Sequence, residues 1–476
     1  MTAIVHPSVD ERSARGKAAR QQLPPSVHTG WTPAPDRPDP VALLEEQNAA
    51  RVPDLVPVRH GRMLVSPFTF YRGAAKIMAT DLKDTPTAGL NVQLCGDAHL
   101  SNFGAFASPE RTLLFDLNDF DETLPGPFEY DVKRMAASFM IAARNNGFNR
   151  SDARAATAAS IVAYRTQMAE FAGMHTMDVW YARLPEQELM AGIKDATRAM
   201  ERAGSKKAGK TAQKTAEKQA RKAHTRDSLQ ALSKLAEQVD GRYRIVSQPP
   251  VVIPVRDLAP RIGLSVDELE NVIHEQFRDY RETLQDDRRH LLEEFEVVDM
   301  AHKVVGVGSV GTRAFIVLLQ GRDQDDPLFL QIKEATASVL EDHLPKSKYR
   351  HPGERVVKGQ RMMQAASDIF LGWTKRHEAN RYFYWRQLRD MKGSALVENM
   401  VPAALNFYAS ICGRTLARAH ARSGDRVALA AYMGKKDRFE QSITDFSERY
   451  ADQNERDYQA FAAAVRSGRL AALENV

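Results

Sequence analysis

The sequence predicts an α+β fold in two lobes, a helical lobe that opens and closes the chain and a small antiparallel β-lobe between its two parts. Three observations predict it. Apolar residues recur at helical spacing over 131–145, 403–422 and 439–465. Between 295 and 389, β-branched and aromatic clusters separated by glycines replace that spacing, as in Val297-Val298, 314–319, 328–332 and 382–385. Earlier, the short apolar runs 90–95 and 113–115 each deliver an acid to a turn, at Gly96-Asp97 and at Asp116.

Each segment follows from its composition. Residues 1–44 hold Pro24, Pro25, Pro33, Pro35, Pro38 and Pro40 with few aliphatics, which predicts a disordered arm. Residues 45–150 form the first part of the helical lobe, with a helix over 75–82, the two acid-bearing strands and the helix at 131–145. Residues 151–296 are helix-compatible except for an extended piece at 245–255, and carry a basic helical insertion near 190–240. The β-lobe spans 297–395, and the helices of 396–476 complete the helical lobe.

Bulk properties exclude several classes. A chain of 476 residues with 43% apolar and 27% charged residues has the composition of a globular protein of two or three domains. No run of 18 apolar residues is present, which argues against a membrane partner. The charged first 22 residues lack the apolar centre of a secretion signal, so a cytoplasmic location is expected. Cys95 and Cys412 make neither a disulfide framework nor a zinc site. The formal net charge of +5 raises the question of nucleic acid, but basic residues concentrate between Lys206 and Arg226 among alanines, against the single acid Glu217. No aromatic residue interleaves there to stack on bases, so the segment reads as a solvated helix. No pattern fixes an oligomeric state.

The chemistry lies in two runs about 200 residues apart. Gly96-Asp97-Ala98-His99-Leu100-Ser101-Asn102 is a strand-to-turn segment in which Asp97 would orient or deprotonate an attacking hydroxyl and Asn102, five residues on, would aim an amide oxygen at Mg²⁺. Asp116 or Asp119, in Phe115-Asp116-Leu117-Asn118-Asp119-Phe120-Asp121-Glu122, would supply the carboxylate that magnesium prefers. The second run is Gly306-Val307-Gly308-Ser309-Val310-Gly311. It lies between two β-like stretches, which suits a hairpin lid whose N–H groups face the phosphates of ATP and not a dinucleotide turn, which needs a following helix. Lys333, on the next strand, would reach the α- and β-phosphates, steadied by a helix carboxylate, Glu354 or Glu341. His99 reads as a packing histidine, and Arg72 and Arg134 as carboxylate-paired or solvated arginines that could also meet phosphate.

These residues also resemble a known family. Ser66-Pro-Phe-Thr-Phe-Tyr-Arg-Gly73, Gln93-Leu-Cys-Gly-Asp-Ala-His-Leu-Ser-Asn-Phe-Gly104, the run from Phe115 to Glu129, and His351-Pro-Gly-Glu-Arg-Val-Val-Lys-Gly-Gln-Arg361 resemble the bacterial domain of unknown function 2252 family, from about residue 45 to the C-terminal region. The resemblance implies a protein-kinase-like fold related to aminoglycoside and choline kinases. Asp97 is then similar to the catalytic Asp, Asn102 to the metal-binding Asn, and Asp116, with Asp119 as the rival alignment, to the later metal-binding Asp. Asp131 resembles the buried Asp that braces such loops. Cys95 replaces the usual His, and Arg313 stands where a lid has a small apolar residue over adenine. The helix ending Leu416-Ala-Arg-Ala-His420 normally precedes the catalytic loop. Here it follows, as a circular permutation would produce. The function implied is an ATP- and Mg²⁺-dependent phosphotransferase acting on a hydroxyl of a small molecule; the alternatives are AMP transfer, a protein kinase, or a non-catalytic nucleotide-binding module.

Overall fold

The computed structural model describes residues 6–474 except 203–205, 227, 264, 305, 375–380 and 389–390. Val305 of the glycine-rich run and Arg389, the end of the expected β-rich stretch, lie outside the described residues. The architecture is mixed α+β with several antiparallel sheets.

The helical part rests on Phe128–Asn145, Arg150–Gly173, Pro402–Ser423 and Arg438–Arg466. Small and apolar residues occupy all faces of the first, and Val132, Met135, Ala136 and Phe139 are fully buried. The second and third meet backbone to side chain because Gly413 has no Cβ; one placed there would stand 2.0 Å from the Ser160 carbonyl oxygen. One apolar cluster runs through Phe139, Tyr164, Leu416 and Phe446, so distant parts of the chain share a core.

The N-terminal segment departs from expectation. Val9–Gln22 is a helix, started by a capping box in which Ser8 and Glu11 satisfy each other's backbone N–H groups. Gly16 lets it lie against the Arg426–Met433 helix, with a hypothetical Cβ only 2.1 Å from the Ala428 carbonyl oxygen. Pro25 begins a 3₁₀ turn, and Trp31 packs on Phe446 and Tyr450. The segment 1–44 is therefore ordered over most of its length. Prolines at helix starts and one buried tryptophan do the work that aliphatic content did not advertise.

The strands position the chemistry. β1 (Asn91–Leu94), β2 (Phe103–Ala107), β3 (Leu113–Leu117) and β4 (Leu124–Pro127) lie within the first helical part, β1 pairing with β4 and β2 with β3. β5 (Ala236–Val239) and β6 (Arg242–Ile245) form a hairpin, and β7 (Val252–Pro254), within the extended piece expected at 245–255, joins the main sheet. The basic segment forms the helix Lys206–His224, as its composition predicts, and packs beside Glu186–Arg202. The main sheet adds β8 (Glu296–Lys303), β9 (Ala314–Gln320), β10 (Pro327–Ala335), β11 (Gly372–Trp373) and β12 (Tyr382–Gln387), in the antiparallel order β11-β12-β10-β9-β8-β7. Helix Pro352–Met363 stands between β10 and β11. Finally β13 (Gly393–Ser394) crosses out of the sheet and pairs with β2.

Candidate functional site

The turn after β1 is held from below. Asp131, in the first turn of the Phe128–Asn145 helix, accepts the backbone N–H groups of Cys95 (2.8 Å) and Gly96 (3.0 Å). Its Oδ2 also meets His420 Nε2 at 3.2 Å, while Tyr164 holds the other ring nitrogen at 2.8 Å. Gly96 is required at φ +85°, where a Cβ would clash with the Glu122 carbonyl oxygen at 2.2 Å. Backbone so constrained gives Asp97 one position.

Asp97 is one-fifth exposed, and its Oδ1 takes both Nε (2.8 Å) and Nη2 (2.7 Å) of Arg134. Among the described residues Oδ2 meets only His99 Nε2, at 3.7 Å. Arg134 itself lies over the Tyr71 ring, 3.9 Å from its centroid, and donates to the Tyr71 carbonyl. His99 is the packing histidine expected: burial outweighs the nearby Asp97 and brings its pKa down to about 3, so the ring is neutral. Asn102 donates Nδ2 to the Asp97 carbonyl (2.7 Å), which commits its amide nitrogen to the loop and leaves Oδ1 as the atom that could accept a cation.

The acid-rich strand end divides its labour. Asp116, 1% exposed, is bonded to Arg418, to the Ala365 N–H (2.9 Å) and to the Leu117 N–H (2.8 Å). Both of its oxygens are taken, so the expectation that it binds metal is corrected: it is a structural acid that ties β3 to the Pro402–Ser423 helix. Asp119 lies two residues past β3, beside Asn118, whose N–H bonds the Asn102 carbonyl at 3.0 Å. Burial, and then the charge of Asp121, push the Asp119 carboxyl up. It borders a cleft of about 190 Å³ lined also by Asn118, Gln360, Arg386 and Lys392. Among the described residues no group of three or more His, Cys, Asp or Glu side chains is arranged to hold a metal ion.

Lys333 arrives from β10 and is 2% exposed. Its ammonium bonds Asp121 Oδ2 at 2.6 Å, while the Tyr384 hydroxyl donates to Oδ1 at 2.7 Å. The expected partner was Glu354 or Glu341, and neither is. Glu354 opens the Pro352–Met363 helix, where His351 caps its N–H, and Glu341 caps the turn that starts at Ser338. Asp121 is the acid that the turn after β3 brings to the Lys333 ammonium. Burial would raise its carboxyl, but Lys333 and Tyr384 outweigh burial and hold it down.

The glycine run closes the arrangement from above. Ser309 Oγ reaches Asp121 Oδ2 at 3.4 Å, so loop, lysine and acid share one carboxylate. Gly306 (φ +71°) and Gly311 (φ +91°) adopt backbone that side chains resist. Gly308 passes so near Arg72 that a Cβ would stand 3.1 Å from its carbonyl oxygen. Arg62 and Arg51 hold the carbonyls of Gly306 (2.6 Å) and Val310 (2.5 Å), and Val310 is fully buried. Arg313 pairs with Glu334 at 3.1 Å.

Glu122, next to the shared acid, titrates in an accessible range. Burial, opposed by Arg355, pushes its carboxyl from 4.5 up to about 7. The folded protein then holds a proton that the unfolded chain releases, so stability falls as pH rises from 4.5 to about 7 and levels above it. Glu122→Gln should remove about 2–3 kcal/mol of that fall, read from urea midpoints across the range. Identical pH curves for variant and parent would rule this out.

Comparison with curated proteins and with solved structures finds no match. A family model described as "Uncharacterized protein conserved in bacteria (DUF2252)" matches residues 51–464, and it contains every element of the site just built. The chain belongs to the DUF2252 family.

Proposed function

We propose that the protein is an ATP- and Mg²⁺-dependent phosphotransferase acting on a hydroxyl of a small molecule. One observation carries the reading: Lys333 and the tip of the glycine loop converge on Asp121, at the end of the same strand-turn that carries Asp119 and within one braced unit with Asp97. Counted from β8, the glycine loop joins the first two strands, the lysine stands on the third, and a helix follows before the next. That is the order of a kinase small lobe, and the acidic loops lie upstream of it, which supports a circularly permuted, kinase-like two-lobed chain.

The residues fit the implied groups. Asp119, half-buried and pushed up by that burial and then by the charge of Asp121, together with Asn102 Oδ1, is a donor set suited to Mg²⁺, whose charge would relieve the crowding. Gly306, Gly308, Ser309, Gly311 and Lys333 would hold the polyphosphate. Bound there, the nucleotide would supply the phosphoryl group and the cation would neutralise its charge. Asp97 Oδ2 orients the acceptor hydroxyl and receives its proton, and Arg134 fixes the angle of that carboxylate. Tyr384 and Lys333 hold Asp121 in place so that it does not swing toward Asp119.

The ion pair of Asp97 with Arg134 favours a second reading, a nucleotide-binding module without catalysis. Thermal-shift measurements with Mg-ATP on wild type, Asp97→Asn and Asp119→Asn separate the two. The phosphotransferase reading expects stabilisation of wild type and Asp97→Asn, loss with Asp119→Asn, and ADP release only in wild type. No stabilisation of wild type by any adenine or guanine nucleotide with any divalent ion would end both readings.

A further inference from the structure

Two arginines reach the Asp97 turn, and they differ in one respect. Arg134 is spent on Asp97. Arg72, in the last turn of the Pro67–Gly73 helix, is half-buried with its Nε fully buried, and among the described residues its guanidinium makes no hydrogen bond or ion pair. Glu398 and Asp97 are the acids whose fields reach it, and its own charge lowers the proton affinity of His99. Its backbone carbonyl oxygen lies close to Gly308, 3.1 Å from where a Cβ would stand. An unsatisfied cation therefore lies between the glycine loop and the Asp97–His99 turn.

Withdrawing a guanidinium from water without a partner is costly, and folded proteins seldom accept that cost for structure alone. The helix that carries Arg72 is also rigid. Ser66 and Thr69 close a capping box at its start, and the Tyr71 hydroxyl bonds the Arg134 carbonyl at 2.9 Å. Arg72 is thus pre-positioned. A second cation, Arg51, stands under the same loop with its Nε buried and unpartnered. Planar guanidinium donors match the oxygens of phosphate, two at a time.

We propose that Arg72 is the oxyanion anchor of this site, receiving the terminal phosphoryl oxygens of a polyphosphate that lies under the glycine loop and faces Asp97. The proposal rests on the nucleotide reading and deepens it by assigning the terminal phosphoryl group to a residue outside the glycine-loop and lysine pair.

Calorimetric binding of Mg-ATP, Mg-ADP and magnesium tripolyphosphate to wild type, Arg72→Gln and Arg72→Lys tests it. The expected result is a loss of about 10- to 100-fold in ATP affinity for Arg72→Gln, with ADP affinity held within about twofold and a partial return in Arg72→Lys. The melting temperature of ligand-free Arg72→Gln should be unchanged or raised, since no partner is lost. Equal losses for ATP and ADP, or no loss for either, overturn the assignment and leave the nucleotide reading intact. If wild type binds no nucleotide, that reading falls; tripolyphosphate binding that Arg72→Gln abolishes then keeps the anchor, and its absence removes the anchor too. Should Arg72→Gln fail to fold, the ATP-to-ADP ratio is read on Arg72→Lys, where a loss confined to ATP supports the assignment and an unchanged ratio overturns it.

Discussion

Lys333→Met should eliminate stabilisation by Mg-ATP and reduce ATP turnover by about 10²–10³-fold or more, because one positioned cation at a phosphoryl-transfer site contributes on that scale. Among the described residues, the same change leaves Asp121 with the Tyr384 hydroxyl and the more distant Ser309 hydroxyl as its side-chain donors. Burial then pushes the Asp121 carboxyl up against only Tyr384 and Arg386, so the variant should be least stable at neutral pH and recover as pH falls. Lys333→Arg should not restore turnover. A guanidinium is bulkier, and the ammonium sits 2.6 Å from its partner in a site only 2% exposed. Full ADP release by the arginine variant would remove Lys333 from the site.

Asp116→Asn should cost about 3–5 kcal/mol in urea unfolding, since it leaves the buried Arg418 guanidinium without its counter-ion. Replacing both partners, as in Asp116→Asn with Arg418→Met, should cost less than the single change, because no lone charge stays inside. At a temperature where Asp116→Asn remains folded, Mg-ATP should still stabilise it. That result separates it from Asp119→Asn, and loss of nucleotide binding in a folded Asp116→Asn would reinstate Asp116 as a ligand.

The helices were the most legible part of the chain. The 75–82 helix is found as Ala75–Leu82, and the C-terminal helices extend as their spacing predicts, because each has one strongly apolar side or is buried all round. The N-terminal arm was misread because proline counts measure stiffness and not burial: Trp31 and Gly16 make specific contacts with residues more than 400 positions away. The site was legible in its parts and illegible in its pairing. Lys333 and the glycine loop meet at one carboxylate, yet that carboxylate is Asp121, 212 residues upstream of the lysine and a neighbour of the acids expected to bind metal. Nothing in local spacing distinguishes Asp116, Asp119 and Asp121. Their surroundings are set by which distant cation the fold brings to each, Arg418 to Asp116 and Lys333 to Asp121, while Asp119 borders the cleft.

Between β13 and β2 only two residue pairs, Gly393 with Ala105 and Ser394 with Gly104, stitch the main sheet's exit to the strand that follows the Asn102 turn. The ladder is one tie among several: Arg355 donates to the carbonyls of Asp121 and Thr123, and the Val339 N–H bonds Glu122, so the acidic turn is fastened to the sheet's connections from both sides.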